Sequence, residues 1–200
     1  MAEGKRILSP KTLLERLERG ELSRAGLEIA AHLGHSAARR ALELEGPASE
    51  SWLEGLSHWG KEPMIRAGIA CAAWVLPTPL GDELRSIVDA VYAAATWTRD
   101  PSEANRVGAR LAREELEALA AKLADGSIDE ELMFELGVVT ELTEVVAELR
   151  PAAAEYHFKR MLELLMDGLR GEEQVEARQI MRRCLLDWAL GEGEPLDALD

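Results

Sequence analysis

Aromatic side chains are few in this 200-residue chain, with two phenylalanines and two tyrosines, and the apolar residues are mainly alanine and leucine. Sheets draw on β-branched and aromatic residues, so this palette argues against a β architecture and for helices, in which Ala and Leu lose little. Cysteine is equally sparse. Cys71 and Cys184 stand far apart among apolar residues at helical spacing, which suits two reduced core thiols and not a disulfide scaffold, although a bridge between them stays open. No apolar run approaches the ~18–20 residues of a membrane span, and the opening MAEGKRILSP has no apolar segment of the signal-peptide kind. A cytoplasmic protein without a membrane partner is expected.

Positive charge is also short. The net charge is −14, and the imbalance is local: residues 1–50 carry eight bases and eight acids, whereas residues 101–200 carry eleven bases and twenty-three acids. A nucleic-acid partner requires a basic face that displaces counterions, and no Lys/Arg cluster of that size stands out, so none is expected. The acidic half favours a protein partner with a basic surface. Catalytic signatures are missing as well: there is no G-x-S-x-G elbow, no glycine-rich phosphate loop and no H-E-x-x-H. Neither enzymatic activity nor a cofactor is expected.

What the chain does contain is helix punctuation. Ser9-Pro10 reads as an N-cap followed by proline at the first helical position, with Leu13, Leu14 and Leu17 as the apolar stripe and Gly20 as the stop. Ser23 opens a second helix ending at Gly34, where a left-handed residue is required, and Ser36 reads as the cap of a third that runs to Gly46-Pro47. SESWLEGLSHWG reads as a short helix closed by Gly60. Pro63 opens a longer one that LPTP (76–79) terminates. A stripe of Leu84, Ile87, Val88, Val91 and Ala95 follows.

Asp100 with Glu103, and Ser127 with Glu130, have the spacing of capping boxes for the next two helices. The second of these carries Leu132, Leu136, Val139, Leu142, Val146 and Leu149. Ala154, Phe158, Met161, Leu162, Leu165 and Leu169 form the cleanest stripe, and Ala177, Met181, Cys184, Leu185 and Trp188 the last. About nine helices with short connections predict an all-α single domain over 1–190, followed by an acidic flexible tail at 191–200. Antiparallel hairpins stacked as an α-α superhelix are the expected architecture, a closed helical bundle the alternative.

AHLGHSAARR (31–40) concentrates two histidines and two arginines. His32 and His35 straddle Gly34, where the helix should have ended, and no Glu-x-x-His accompanies them, so metal binding is not expected. His35, Arg39 and Arg40 lie near the start of the third helix and are candidates for an anion site in an interhelical pocket. The competing reading is a solvated face with Arg39/Glu43 pairing. Five tryptophans outnumber the other aromatics, four of them between Trp52 and Trp97. Trp52 and Trp59 flank a short segment with His58 and Lys61 beside them. These four are the candidate partner-binding residues, because an exposed Trp beside charge is a typical interface anchor.

Residues 65–112, in which an Ala-rich helix ends in Val75-Leu76-Pro77, the next carries Trp97 near its end and Asp100-Pro101-Ser102 turns into another Ala-rich helix, resemble small helical proteins of GC-rich bacteria, myxobacteria included. Residues 22–42 are similar to the N-terminal part of the same proteins, some of which are described as immunity proteins and most of which are uncharacterised. The resemblance implies a helical, non-enzymatic protein with an immunity-type, scaffolding or adaptor role. Homo-oligomerisation is left open.

Overall fold

A computed structural model of the chain describes residues 8–76, 85–124 and 130–193. Among these residues the protein is all-α, with nine α-helices and no strand: α1 (Pro10–Glu18), α2 (Arg24–His32), α3 (Ser36–Ala41), α4 (Lys61–Val75), α5 (Arg85–Arg99), α6 (Glu103–Ala124), α7 (Glu130–Ala147), α8 (Pro151–Gly168) and α9 (Glu172–Ala189). Consecutive helices α4 to α8 pack as antiparallel hairpins, each against the next. The last helix departs from this order. α9 packs on α4 and α2 and hardly touches its sequence neighbour α8.

Two helices form the centre. On α4 every residue from Pro63 to Ala72 is buried, and on α7 Leu136, Val138, Val139, Leu142, Thr143, Val145 and Val146 are. A helix apolar on all sides can be stable only when surrounded, and these two touch each other and are flanked by α5, α8 and other helices. Gly68 lies at their contact: a Cβ there would lie 2.7 Å from Leu142 Cδ1 and 3.1 Å from Met161 Sδ of α8. The outer helices bury one stripe each, such as Ala154, Phe158, Met161 and Leu165 of α8.

The caps correct several sequence expectations. Ser9 and Ser23 do cap α1 and α2 through hydrogen bonds from the Thr12 and Gly26 amides, and Gly34 has φ +85°. The cap of α3, however, is His35, whose Nδ1 accepts from the Ala38 amide, and Ser36 is the first helical residue. At α6 Ser102 takes the role expected of Asp100: its Oγ accepts from the Asn105 amide, while Asp100 accepts from the Asn105 side chain and Glu103 pairs with Arg106. The short helix around Leu56 is a 3-10 turn, Leu56–Trp59. α3 stops at Ala41, short of Gly46, and α4 starts at Lys61, two residues before Pro63. Leu149 lies past the end of α7, 71% exposed. Cys71 and Cys184 are not joined in a disulfide; Cys71 is buried and Cys184 half-buried. Leu84, Pro77–Pro79, the Ser127 cap and residues 194–200 of the expected tail lie outside the described residues.

Helix C-termini leave carbonyl groups unpaired, and here the missing donors come from elsewhere in the chain. α7, α8 and α9 have no basic residue in their own last turn. Lys61 Nζ donates to the carbonyls of Val146 and Glu148, and Arg106 to that of Ala147, closing α7. Gln174 donates to Met166 and Leu169 at the end of α8, and Arg16 to Leu190 at the end of α9. Arg182 reaches Leu33 beyond α2, and Arg66, itself 3% exposed, reaches Thr98 near the end of α5. Much of the scarce positive charge is therefore directed inward.

Candidate functional site

The segment between α3 and α4 is held to the body by its apolar residues. Trp52, Leu53 and Leu56 are buried, and His32 Nε2 hydrogen-bonds the Trp52 carbonyl at 2.8 Å. The same imidazole fills the space over Gly55, where a Cβ would lie 2.7 Å from its Cε1, and stands 4.8 Å from the Trp59 ring. With one side thus pinned, the segment forms one wall of a groove. α8 forms the other through Lys159, Leu162, Glu163, Met166 and Asp167. Their spacing places these five on one helix face, next to the buried stripe.

The groove measures about 630 Å³, and Arg178 of α9 adds to its lining. It exists because α9 leans on α4 and α2 instead of on α8. Leu53, Leu162 and Met166 supply the apolar lining, whereas Glu50, Glu54, Glu163 and Asp167 stand against only two bases, Lys159 and Arg178. Lys159 is itself engaged: its Nζ lies 2.7 Å from Glu155. The hydrogen bond and charge of Glu155, and then the charge of Glu54, hold the Lys159 ammonium above its ordinary range. Glu155 is correspondingly held low, first by its hydrogen bond to Lys159 and with a smaller contribution from the Ser57 hydroxyl.

The residues singled out from sequence do not form one surface. Trp52 is 7% exposed and belongs to the core, which corrects its reading as an exposed anchor. Trp59 is half-buried, with His32 against its ring and the exposed His58 edge-on at 5.1 Å. Lys61 is directed away from them, its Nζ over the Trp97 ring at 4.7 Å and bonded to the end of α7. Burial and the neighbouring Arg106 charge hold that ammonium below its ordinary value, against the opposing charge of Glu148.

The anion candidates are likewise dispersed. His35 caps α3, Arg39 donates to the carbonyls of Ala31, Glu45 and Gly46, and Arg40 is exposed. Arg39 and His32 do meet in a smaller cleft with Arg24, Glu28 and Trp59. Among the described residues no group of three or more His, Cys, Asp or Glu could hold a metal ion, and no helix is long and apolar enough to cross a membrane.

The α8 face lies in the sequence as the run Lys159, Leu162, Glu163, Met166, Asp167, but periodicity alone assigns Leu162 to the core stripe. Its facing wall could not be read, because nothing local links residues 50–54 to α8. Comparisons of the chain with protein-family models, with curated proteins and with solved structures find no match.

Proposed function

We propose that the protein is a non-enzymatic interaction module, immunity-type or adaptor, that takes a basic, partly apolar segment of a partner protein into the groove between residues 50–54 and α8. The observation that carries this reading is the pairing of an apolar lining with a rim on which four carboxylates face two bases. Leu, Met or aromatic side chains of the partner would displace water from Leu53, Leu162 and Met166, and its Lys or Arg side chains would meet Glu50, Glu54, Glu163 and Asp167. The chain's overall charge of −14 adds long-range attraction for such a partner, raising its rate of encounter. A volume of about 630 Å³ is within the range of specific pockets, roughly 300–1,000 Å³.

The test is binding of a synthetic peptide alternating Arg and Leu to the wild type and to a Glu163→Lys/Asp167→Lys variant. Both positions are exposed, so the variant retains its fold. Saturable binding that weakens at least ten-fold in the variant supports the reading. Equal binding by both proteins rejects it.

A further inference from the structure

The groove between residues 50–54 and α8 is layered in cross-section. On α8, Leu162 and Met166 stand four residues apart beside the buried stripe and are half-buried, whereas Glu163 and Asp167, each one position further on, are turned away from it by roughly 100° and are exposed. The facing wall repeats the arrangement: Leu53 is buried, and Glu50 and Glu54 are exposed. Three apolar side chains therefore make a floor, and two carboxylates stand on each rim. Along α8 the lining runs from Lys159 to Asp167, a rise of roughly 12 Å or about two turns.

The rims keep a negative surplus after their ion pairs are counted. Lys159 is bonded to Glu155, and Glu163 lies 2.9 Å from Arg160. With these pairing partners included, the carboxylates of Glu50, Glu54, Glu155, Glu163 and Asp167 face the three cations of Lys159, Arg160 and Arg178. Two negative charges are left over among these side chains.

Neither wall offers a backbone edge. One is the helix α8, the other is a series of turns leading into the 3-10 turn Leu56–Trp59, and no strand occurs among the described residues. An extended segment gains affinity by pairing its main chain with a sheet edge; without one, its N–H and C=O groups would lie unpaired over the apolar floor. A helix satisfies its own backbone. It also directs side chains to three sides at once, so that one apolar stripe meets the floor while residues on both flanks reach the two rims, whereas a strand has only two faces.

We infer that the occupant of the groove is a basic amphipathic α-helix of the partner, in contact over about two turns. Its Leu- or Met-type residues at helical spacing lie on Leu53, Leu162 and Met166, and its Lys or Arg residues on the two flanks pair with Glu50 and Glu54 on one side and with Glu163 and Asp167 on the other. This inference rests on the groove being the partner site, and adds the partner's conformation and the register of its charges.

The experiment titrates two synthetic peptides of identical Leu and Lys content into the full chain, one with Leu at helical spacing between lysine flanks and one with Leu and Lys alternating, and records the circular dichroism of each complex. The expected result is at least ten-fold tighter binding of the helical-pattern peptide, with helical ellipticity beyond the sum of the free components. Its affinity should fall at least ten-fold in Glu50→Lys/Glu54→Lys and again in Glu163→Lys/Asp167→Lys, all four positions being exposed. Equal or tighter binding of the alternating peptide, still weakened by Glu163→Lys/Asp167→Lys, overturns the helical occupant and leaves the groove as the partner site. Binding by neither peptide, or binding that neither variant weakens, overturns both. Sedimentation of the chain alone covers the remaining occupant: self-association that the lysine variants abolish assigns the groove to a second copy and overturns the inference.

Discussion

Arg182 Nε donates to the carbonyl oxygen of Leu33 at 2.6 Å, joining α9 to the end of α2 across 149 residues of chain. The bond is one of several in which a basic side chain from a distant helix donates to carbonyls at a helix end. A hydrogen bond from a charged group contributes about 1.5–3 kcal/mol when its partner would otherwise be left unsatisfied. Arg182→Met keeps the aliphatic stem and removes the donor. Urea unfolding should show a loss in that range, and an unchanged midpoint would mean that solvent satisfies the Leu33 carbonyl equally well.

Two glycines should respond to alanine in opposite directions. A Cβ on Gly26 of α2 would collide with the backbone carbonyl of Ala189 at the end of α9, which cannot move without shifting the helix. Gly26→Ala should therefore cost about 1–3 kcal/mol. Gly108 lies within α6 with nothing within 4 Å of an added Cβ, so Gly108→Ala should stabilise by about 0.5–1 kcal/mol through helix propensity and reduced unfolded-state freedom. Thermal melts of the two variants check both signs.

Burial pushes the Cys71 thiol up from 9.0 to about 12. Between those values the unfolded chain loses a proton that the folded chain keeps, so this residue's contribution to stability is whole below pH 9 and declines as the pH rises toward 12. The expected slope is at most about 1.4 kcal/mol per pH unit. Comparing the alkaline stability profile with that of Cys71→Ala isolates the effect. A thiol reagent at neutral pH should label the half-buried Cys184 before Cys71.

Trp52 and the α8 face should separate stability from recognition. Trp52→Ala removes a core side chain and should cost about 3–5 kcal/mol. Met166→Lys, at a half-buried position in the groove lining, should leave the melting temperature within a few degrees and abolish binding of the basic peptide. If instead Trp52→Ala retains full stability and loses the peptide, the sequence-based choice of anchor was right and the groove is misplaced.

Where local chemistry sets local structure, the residues could be read directly. Ser9 and Ser23 cap their helices, Gly34 adopts positive φ and the α8 stripe faces the core, because each depends on neighbours within one or two turns. The misassigned caps show the limit of the same rule. At Asp100-Pro101-Ser102 and His35-Ser36 two residues one or two positions apart can each accept from the helix start, and the choice depends on how the incoming chain is packed.

The sequence by itself determined an all-α protein with about nine helices, a buried Cys71 thiol and a net negative charge. Helix periodicity, capping and composition act over short distances. Tertiary structure alone decided that Trp52 is buried, that Lys61 and Arg182 serve distant helix ends, and that α9 packs away from α8 to leave a groove. These outcomes depend on which helices meet. That pairing is fixed by burial of whole faces and by the close approach that glycines such as Gly26 and Gly68 permit, neither of which leaves a periodic trace along the chain.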